Sequence, residues 1–325
     1  MLGLKQHRDL TSPAVSVVVP AFNSELFVGP AIESILQQTL TDFELIIIDD
    51  GSTDDTLGVI NSYKDPRIRV LRNAQNLGLA TTRNIGIDAA SGRYIAWLDS
   101  DDLSHPSRLK RQVSFLDSRS NLALCGTWGR TIGLENNVPM RYPRKPASIR
   151  SRMVFDNPFL TSSVMVRSSV LKGLSERFRE DYAPAEDYDV WERIPREFGL
   201  ANLPQYLTFH RQHAGQVSIR QSDIQRSAVR QVQRRQLERI GIKPTMEEIV
   251  LHEIIGVNWC VGISKLETRS ALDWLIKLSS ANAESQYFPV RVFKSVAKQR
   301  TLLVKETAAP SAIKRVIRKV RATGY

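Results

Sequence analysis

The segment VSVVVPAFNSELFVGPAIESILQQTLTDFELIIIDDGSTDDT, residues 15–56, holds two short apolar runs separated by a stretch of helical periodicity. Residues 15–19 form a continuous, β-branched run ended by Pro20, which reads as a buried strand meeting a loop. Ile32, Ile35 and Leu36 then share one face of a predicted helix, with Ser24 available to cap it and Pro30 tolerable only near its first turn. Residues 43–48 are a second apolar run, ending at Asp49-Asp50-Gly51-Ser52. Strands apolar at every position are buried on both faces, so the pattern predicts a parallel sheet with helices on either side.

The rhythm continues outward. Residues 53–63 read as helix, 68–71 as strand, 78–90 as helix and 93–98 as a fourth strand, which ends at Asp99-Ser100-Asp101-Asp102. Ligands of open α/β sheets bind beyond the carboxyl ends of the strands, and two of these ends carry clustered carboxylates. Shorter apolar segments at 122–134 and 159–166 flank a polar stretch, 139–152, read as an antiparallel portion or a mobile loop. The fold class expected is α/β: a Rossmann-like, mostly parallel sheet with flanking helices over residues 1–220, and a basic, mainly helical region over 221–325.

Composition narrows the function. Hydrophobic residues make up 42% and charged residues 24% of the 325, an ordinary globular profile. Cys125 and Cys260 have no CxxC spacing, which excludes a disulfide scaffold or a cysteine zinc site and fits a reducing, cytoplasmic setting. No secretory signal or membrane-spanning run is expected; residues 249–263 are short, contain His252, Glu253 and Asn258, and read as a packed helix. From Gln221 onward there are 19 basic and 9 acidic residues, so this third carries ten of the eleven net positive charges. Between Arg8 and Lys64 there is no Lys or Arg at all, which argues against a nucleic-acid groove.

Asp99 and Asp101, at i and i+2 beyond a strand, can both turn toward a hard cation such as Mn2+ or Mg2+, and such an ion can bridge a diphosphate. Alone, that spacing is common in solvated turns. Asp50, at another strand end, can accept hydrogen bonds from a nucleobase imide or a ribose hydroxyl, and Arg83 can offset diphosphate charge; Asp54 or Ser52 can equally cap the next helix.

Together with NLGLATTRNIGIDAASGRYIAWLDSDD at residues 76–102, the opening segment resembles the N-terminal half of an inverting family 2 glycosyltransferase with the GT-A fold. The resemblance is strong over residues 14 to about 115 and thins to scattered motifs by about 220. It implies that Pro20, Ala21, Phe22, Asn23 and Glu25 border the nucleotide and that Asp50 contacts the base. It also brings Arg83 toward the diphosphate, sets Asp99 and Ser100 by the ribose and sugar, and makes Asp101 the main metal ligand, joined by Asp99. Glu186-Asp187 is similar to the family's ED motif, making Asp187 the catalytic base and Glu186 its orienting neighbour. In-line attack on the anomeric carbon needs a carboxylate within reach of the acceptor hydroxyl. His210-Arg211-Gln212-His213 resembles the segment closing the catalytic domain, with His213 toward the metal and His210 in place of the usual aromatic. The QxxRW motif of the processive synthases is missing, which favours single-sugar transfer from a UDP or dTDP sugar to a glycan or lipid-linked acceptor in surface polysaccharide or lipopolysaccharide assembly.

An anionic membrane surface is a candidate partner for the helix running from Arg226 and for residues 313–320, where Ile313, Val316, Ile317 and Val320 fall on one helical face; solvated faces of packed helices are the alternative. Trp259 and Trp274 read as core. Two competing functions are weaker. A nucleotidyltransferase needs a glycine- and basic-rich phosphate loop that the N-terminal region lacks, and a binding protein with a degenerate sugar-nucleotide domain has no reason to keep Asp50, Asp99, Asp101 and Asp187.

Overall fold

In the computed structural model, residues 12–134, 137–213, 215–216, 222–256 and 264–307 are described. β1 (Val15–Ala21), α1 (Val28–Leu36), β2 (Phe43–Asp49), α2 (Thr56–Ser62), β3 (Ile68–Arg72), α3 (Leu79–Ala89) and β4 (Tyr94–Trp97) follow the predicted alternation. β1 lies between β2 and β4, parallel to both, and β3 extends the parallel sheet beyond β2. The period of two divides the apolar residues: Val17, Val19, Leu45 and Ile47 join Ile32 and Ile35 of α1. Val18, Ile46, Ile48 and Trp97 join Ile87 of α3 on the other face.

Two local expectations are corrected. β1 does not stop at Pro20 but runs to Ala21, because its ladder with β4 ends at Val18–Trp97 and the missing N–H of Pro20 breaks no bond. Ser24 does not cap α1 with its side chain. Its carbonyl accepts the Phe27 and Val28 N–H groups, and its hydroxyl lies 2.8 Å from that of Ser100, joining two strand-end loops.

Beyond β4 the sheet becomes mixed. β5 (Leu103–Ser104), α4 (Arg108–Asp117), β6 (Leu122–Gly133), β7 (Pro139–Met140), α5 (Pro146–Arg152), β8 (Met165–Arg167), α6 (Ser168–Lys172), α7 (Glu186–Arg193) and β9 (Gly199–Gln212) follow. The strand order is β3-β2-β1-β4-β8-β6-β9-β5, with β7 on β6. β8 runs antiparallel to β4 and β6, β9 parallel to β6, and β5 antiparallel to β9. The stretch 139–152 is thus a short antiparallel strand and a helix with Pro146 in its first turn. β5 begins one residue after Asp102 and pairs Leu103 with Phe209, so the histidines at the end of β9 face the acidic loop.

Among the described residues, four helices follow: α8 (Ser222–Arg239), α9 (Met246–Gly256), α10 (Lys265–Ser285) and α11 (Val290–Thr307). Their core joins Trp274, Leu278, Phe293 and Val304 to Val154 and Phe155, which follow α5. His252 on α9, within the predicted packed helix, stacks on Phe155; its Nδ1 accepts the Trp274 indole N–H at 3.1 Å while Nε2 donates to the Val154 carbonyl at 2.8 Å. Burial holds this neutral imidazole down to about 4. Trp274 is core, as expected. Trp259, Cys260 and residues 313–320 lie outside the described residues. Among the described residues, no helix is long and apolar enough to cross a membrane.

Four of the five arginines of α8 are ion-paired rather than presented as an open cationic face. Arg226 and Arg230 pair with Glu253 of α9, Arg235 pairs with Asp189 and Glu192 of α7, and Arg239 pairs with Glu192. The acidic partners lie too far away in sequence to be read from the spacing of the arginines.

Candidate active site

The ends of β1, β2 and β4 converge. Asp50 is buried, and its Oδ1 accepts from Asn73 Nδ2 at 2.8 Å and from the Leu77 N–H at 2.9 Å. Its Oδ2 accepts the Gly78 N–H at 3.0 Å, leaving that oxygen room for one further donor. Gly51 next to it is required: its φ is +70°, and a Cβ there would come 2.5 Å from the Gln75 carbonyl carbon. Pro20 and Ala21 are within β1, while Phe22 is exposed at its mouth. Asn23 takes a left-handed φ of 47° and its Oδ1 accepts the Thr53 N–H, and Glu25 accepts the Asp55 N–H at 2.9 Å. These side chains fasten the loop after β1 to the loop after β2; neither Ser52 nor Asp54 is the N-cap of α2, which is Asp55 with no side-chain cap, although Asp54 Oδ1 accepts the Thr56 N–H at 3.0 Å.

The acidic loop after β4 meets β9. Asp102 is fully buried and accepts from the Arg211 N–H at 2.8 Å and from His210 Nδ1 at 3.1 Å. Burial alone would lower His210, but the adjacent Asp102, with Asp101 and Asp99 behind it, pushes it up to about 9. Asp101 shows the opposite: burial, together with the charges of Asp102 and Asp99, raises its carboxyl to about 6 despite a hydrogen bond from His213. His213 Nε2 lies 3.0 Å from Asp101 Oδ2, and its Nδ1 accepts the Gly215 N–H, which fixes the proton on Nε2. Ligation through Nε2 would therefore require that proton to move and the Gly215 contact to break.

No group of three or more His, Cys, Asp or Glu positioned to hold a metal occurs among the described residues. A carboxylate pushed upward by like charge is nevertheless an oxygen ligand suited to a hard cation. Mg2+ and Mn2+ sites on phosphate substrates commonly take only one or two protein carboxylates, the phosphates and water supplying the rest. Asp101 fits that requirement. Asp99 is already engaged, accepting from Arg83 Nη2 at 2.9 Å on one oxygen and from the Ser162 hydroxyl at 2.9 Å on the other.

Arg83 is 3% exposed. One arm of its guanidinium reaches Asp99 and the other Glu186, so it joins the strand-end loop to α7. Glu186 is buried as well, and burial pushes its carboxyl up to about 7 against the pull of Arg83. Asp187 is half-buried: its Oδ1 accepts the Tyr188 N–H at 2.6 Å, and its Oδ2 accepts from Asn157 Nδ2 at 2.8 Å and from the Thr161 hydroxyl. Sequence reasoning singled out neither Asn157, Thr161 nor Ser162. The run Thr161-Ser162-Ser163 was a usable signal, since in one turn of 3-10 helix its hydroxyls reach Asp187, Asp99 and the Thr127 N–H in succession.

Comparisons with known proteins place the chain in a family. The family model described as "Glycosyl transferase family 2" matches residues 16–173. An uncharacterized glycosyltransferase of Haemophilus influenzae is 32% identical over 264 residues, covering 76% of this chain and 81% of its own length. The UDP-Glc:alpha-D-GlcNAc-diphosphoundecaprenol beta-1,3-glucosyltransferase WfaP of Escherichia coli is 31% identical over 221 residues, 66% of this chain and 86% of the relative. Among solved structures, S. aureus TarS 1-349 in complex with UDP-GlcNAc superposes with a TM-score of 0.61 at 17% identity, over 90% of each chain. The mannosyltransferase PcManGT from Pyrobaculum calidifontis, in complex with GDP-Man and Mn2+, gives 0.56 at 15% identity over 94% of this chain and 86% of that one. The fold is GT-A with an added helical region. The chain belongs to glycosyltransferase family 2, and is an enzyme of that class.

Proposed function

We propose that this enzyme transfers a single sugar, with inversion, from a nucleoside diphosphate sugar to a hydroxyl of a glycan or lipid-linked acceptor in surface polysaccharide or lipopolysaccharide assembly. UDP or dTDP donors are favoured, with Mn2+ or Mg2+ as cofactor. The observation that supports the reading is the buried Arg83 bridge, which ties Asp99 beyond β4 to Glu186, the residue before Asp187. The lipid-linked acceptor draws support from the activity for which the E. coli relative is named, and a uridine donor from that name and from the TarS complex. A guanosine donor stays open, given GDP-Man in PcManGT.

In this reading Asp187 accepts the proton of the acceptor hydroxyl as the oxygen attacks the anomeric carbon, on the face opposite the departing diphosphate. Asn157 and Thr161 fix its Oδ2, so that the carboxylate is oriented before the acceptor arrives. Asp101 would hold the divalent ion, with His213 beside it; the ion supplies charge stabilisation to the departing diphosphate. Asp50, through the open position on Oδ2, takes one N–H or O–H of the nucleoside.

A peripheral membrane location, on the cytoplasmic face, belongs to the same proposal. Its support shifts from α8, four of whose five arginines are paired with carboxylates, to the exposed Arg291, Lys294, Lys298 and Lys305 of α11. Sedimentation with anionic against neutral vesicles tests this part, and equal recovery contradicts it.

The donor reading is tested by thermal unfolding of the wild type and Asp101→Ala with UDP, dTDP, GDP and CDP sugars, each with and without Mn2+. A ligand bound only by the native state raises the melting temperature. Stabilisation by one nucleotide class, dependent on Mn2+ and lost in Asp101→Ala, is expected. No shift with any nucleotide contradicts the donor site.

A further inference from the structure

We propose that the C-terminal helices hold the catalytic aspartate in place, with Arg235 of α8 and Arg300 of α11 as positioning residues. This rests on Asp187 serving as the base. Two routes lead to it. In the first, Asn157, which donates to Asp187 Oδ2, directly follows Asp156, and Asp156 is gripped by Arg152 at 2.6 Å and by Arg300 at 2.8 Å. Arg300 is buried and also donates to the Gly256 carbonyl at 2.7 Å, so the end of α9 and the middle of α11 converge on the residue before Asn157.

In the second route, Asp189 lies two residues after Asp187 on α7 and is fully buried. It accepts from Arg235 at 2.5 Å and from Arg179 and Arg193 within its own part of the chain. One turn further on, buried Glu192 accepts from Arg235 at 3.2 Å and from Arg239. Buried carboxylates are tolerated only when paired, so α7 cannot slide against α8 without stranding charge. Val154 and Phe155, just before Asp156, are built into the core of the C-terminal helices, which removes slack from the first route. The supports therefore reach Asp189, two residues after Asp187, and Asp156, the chain neighbour of its hydrogen-bond donor Asn157, and neither reaches the strand-end carboxylates Asp50 and Asp101.

The consequence is specific. Loosening either support should impair the chemical step, where displacement of the base matters steeply, and leave the donor site unchanged. The experiment is steady-state transfer kinetics, with donor KM measured separately, on Arg235→Met, Arg300→Met and Asp187→Asn, each shown to be folded by circular dichroism and melting. Arg235→Met leaves Asp189 its two other arginines and is expected to fold. The expected result is a fall in kcat on the order of 10-fold in both arginine variants, with donor KM held within about twofold. Where a Met variant fails to fold, Arg235→Lys and Arg300→Lys, which keep the charge and lose the planar fork, decide by the same split. Folded arginine variants with wild-type kcat, or with donor KM changed as much as kcat, overturn the proposal. If Asp187→Asn keeps full transfer, the base assignment itself falls; if it abolishes transfer while the arginine variants do not, only the positioning role falls.

Discussion

The parallel half of the sheet and the C-terminal helices use their carboxylates in opposite ways. At the strand ends, Asp99, Asp101 and Asp102 crowd together, and burial, with the charges of Asp102 and Asp99 added to it, raises Asp101 to about 6. Along α8 and its neighbours the carboxylates are matched to arginines: Glu253 by Arg226 and Arg230, Asp189 and Glu192 by Arg235, and Glu192 again by Arg239. Matched buried charge locks elements in register, whereas concentrated like charge is a departure from the most stable arrangement, and such departures gather where a ligand's charge is handled. The boundary between the two regimes is α7, whose first residues face Arg83 and whose last turn faces α8.

Several changes would break or sharpen this contrast. The largest effect is expected at Asp101: Asp101→Ala should lower transfer about 10³-fold or more at saturating Mn2+, read from initial rates across a metal titration, because charge on the leaving diphosphate is left unsupported. Trp274→Ala should instead strike stability, by about 3 kcal/mol in urea unfolding, since it opens a cavity in the helical core and orphans His252. The variant should still bind donor at temperatures where it is folded.

A pH dependence of stability should come from the same place. His252 sits at about 4 in the folded chain against an ordinary 6.5, so the unfolded chain binds the proton first. Stability is unaffected above 6.5, falls as the pH drops through that value, and is lower by about 2 kcal/mol at pH 5. His252→Gln should flatten that slope in unfolding measured between pH 7 and 5. The smallest effect is expected at Thr161: Thr161→Val should lower kcat on the order of 10-fold with donor KM unchanged, since it removes one of the two side-chain donors on Asp187 Oδ2.

How much of this was legible depended on geometry. β1, β2 and β4 could be read because strands buried on both faces are nearly continuous apolar runs, and the ends of β2 and β4 announced the carboxylates. β9 could not. It carries Pro204, and its register against β6 jumps from Leu203 to Tyr206, a bulge that sets aside Pro204 and Gln205 and destroys the period of two. Asp50, Asp101 and Asp187 were identifiable as carboxylates in a motif order, but their partners Asn73, Asn157 and Thr161 are ordinary polar residues whose importance comes from contacts across the fold. Arg83 was identified, expected near a diphosphate, but its buried link between Asp99 and Glu186 joins residues 16 and 103 positions away and could not be read from the sequence. The arginine periodicity of α8 was visible, yet nothing in the spacing of the arginines distinguishes a membrane face from an ion-paired interface.

The central claim is that donor binding and proton abstraction belong to different carboxylates joined through Arg83. It is tested most directly by measuring donor affinity and transfer together in Asp187→Asn, using calorimetric titration of the stabilising nucleotide sugar with Mn2+ alongside a product assay. Donor affinity within about twofold of the wild type, with transfer reduced at least about 10²-fold, is the predicted result. Transfer near the wild-type rate, or donor affinity lost along with transfer, would contradict it.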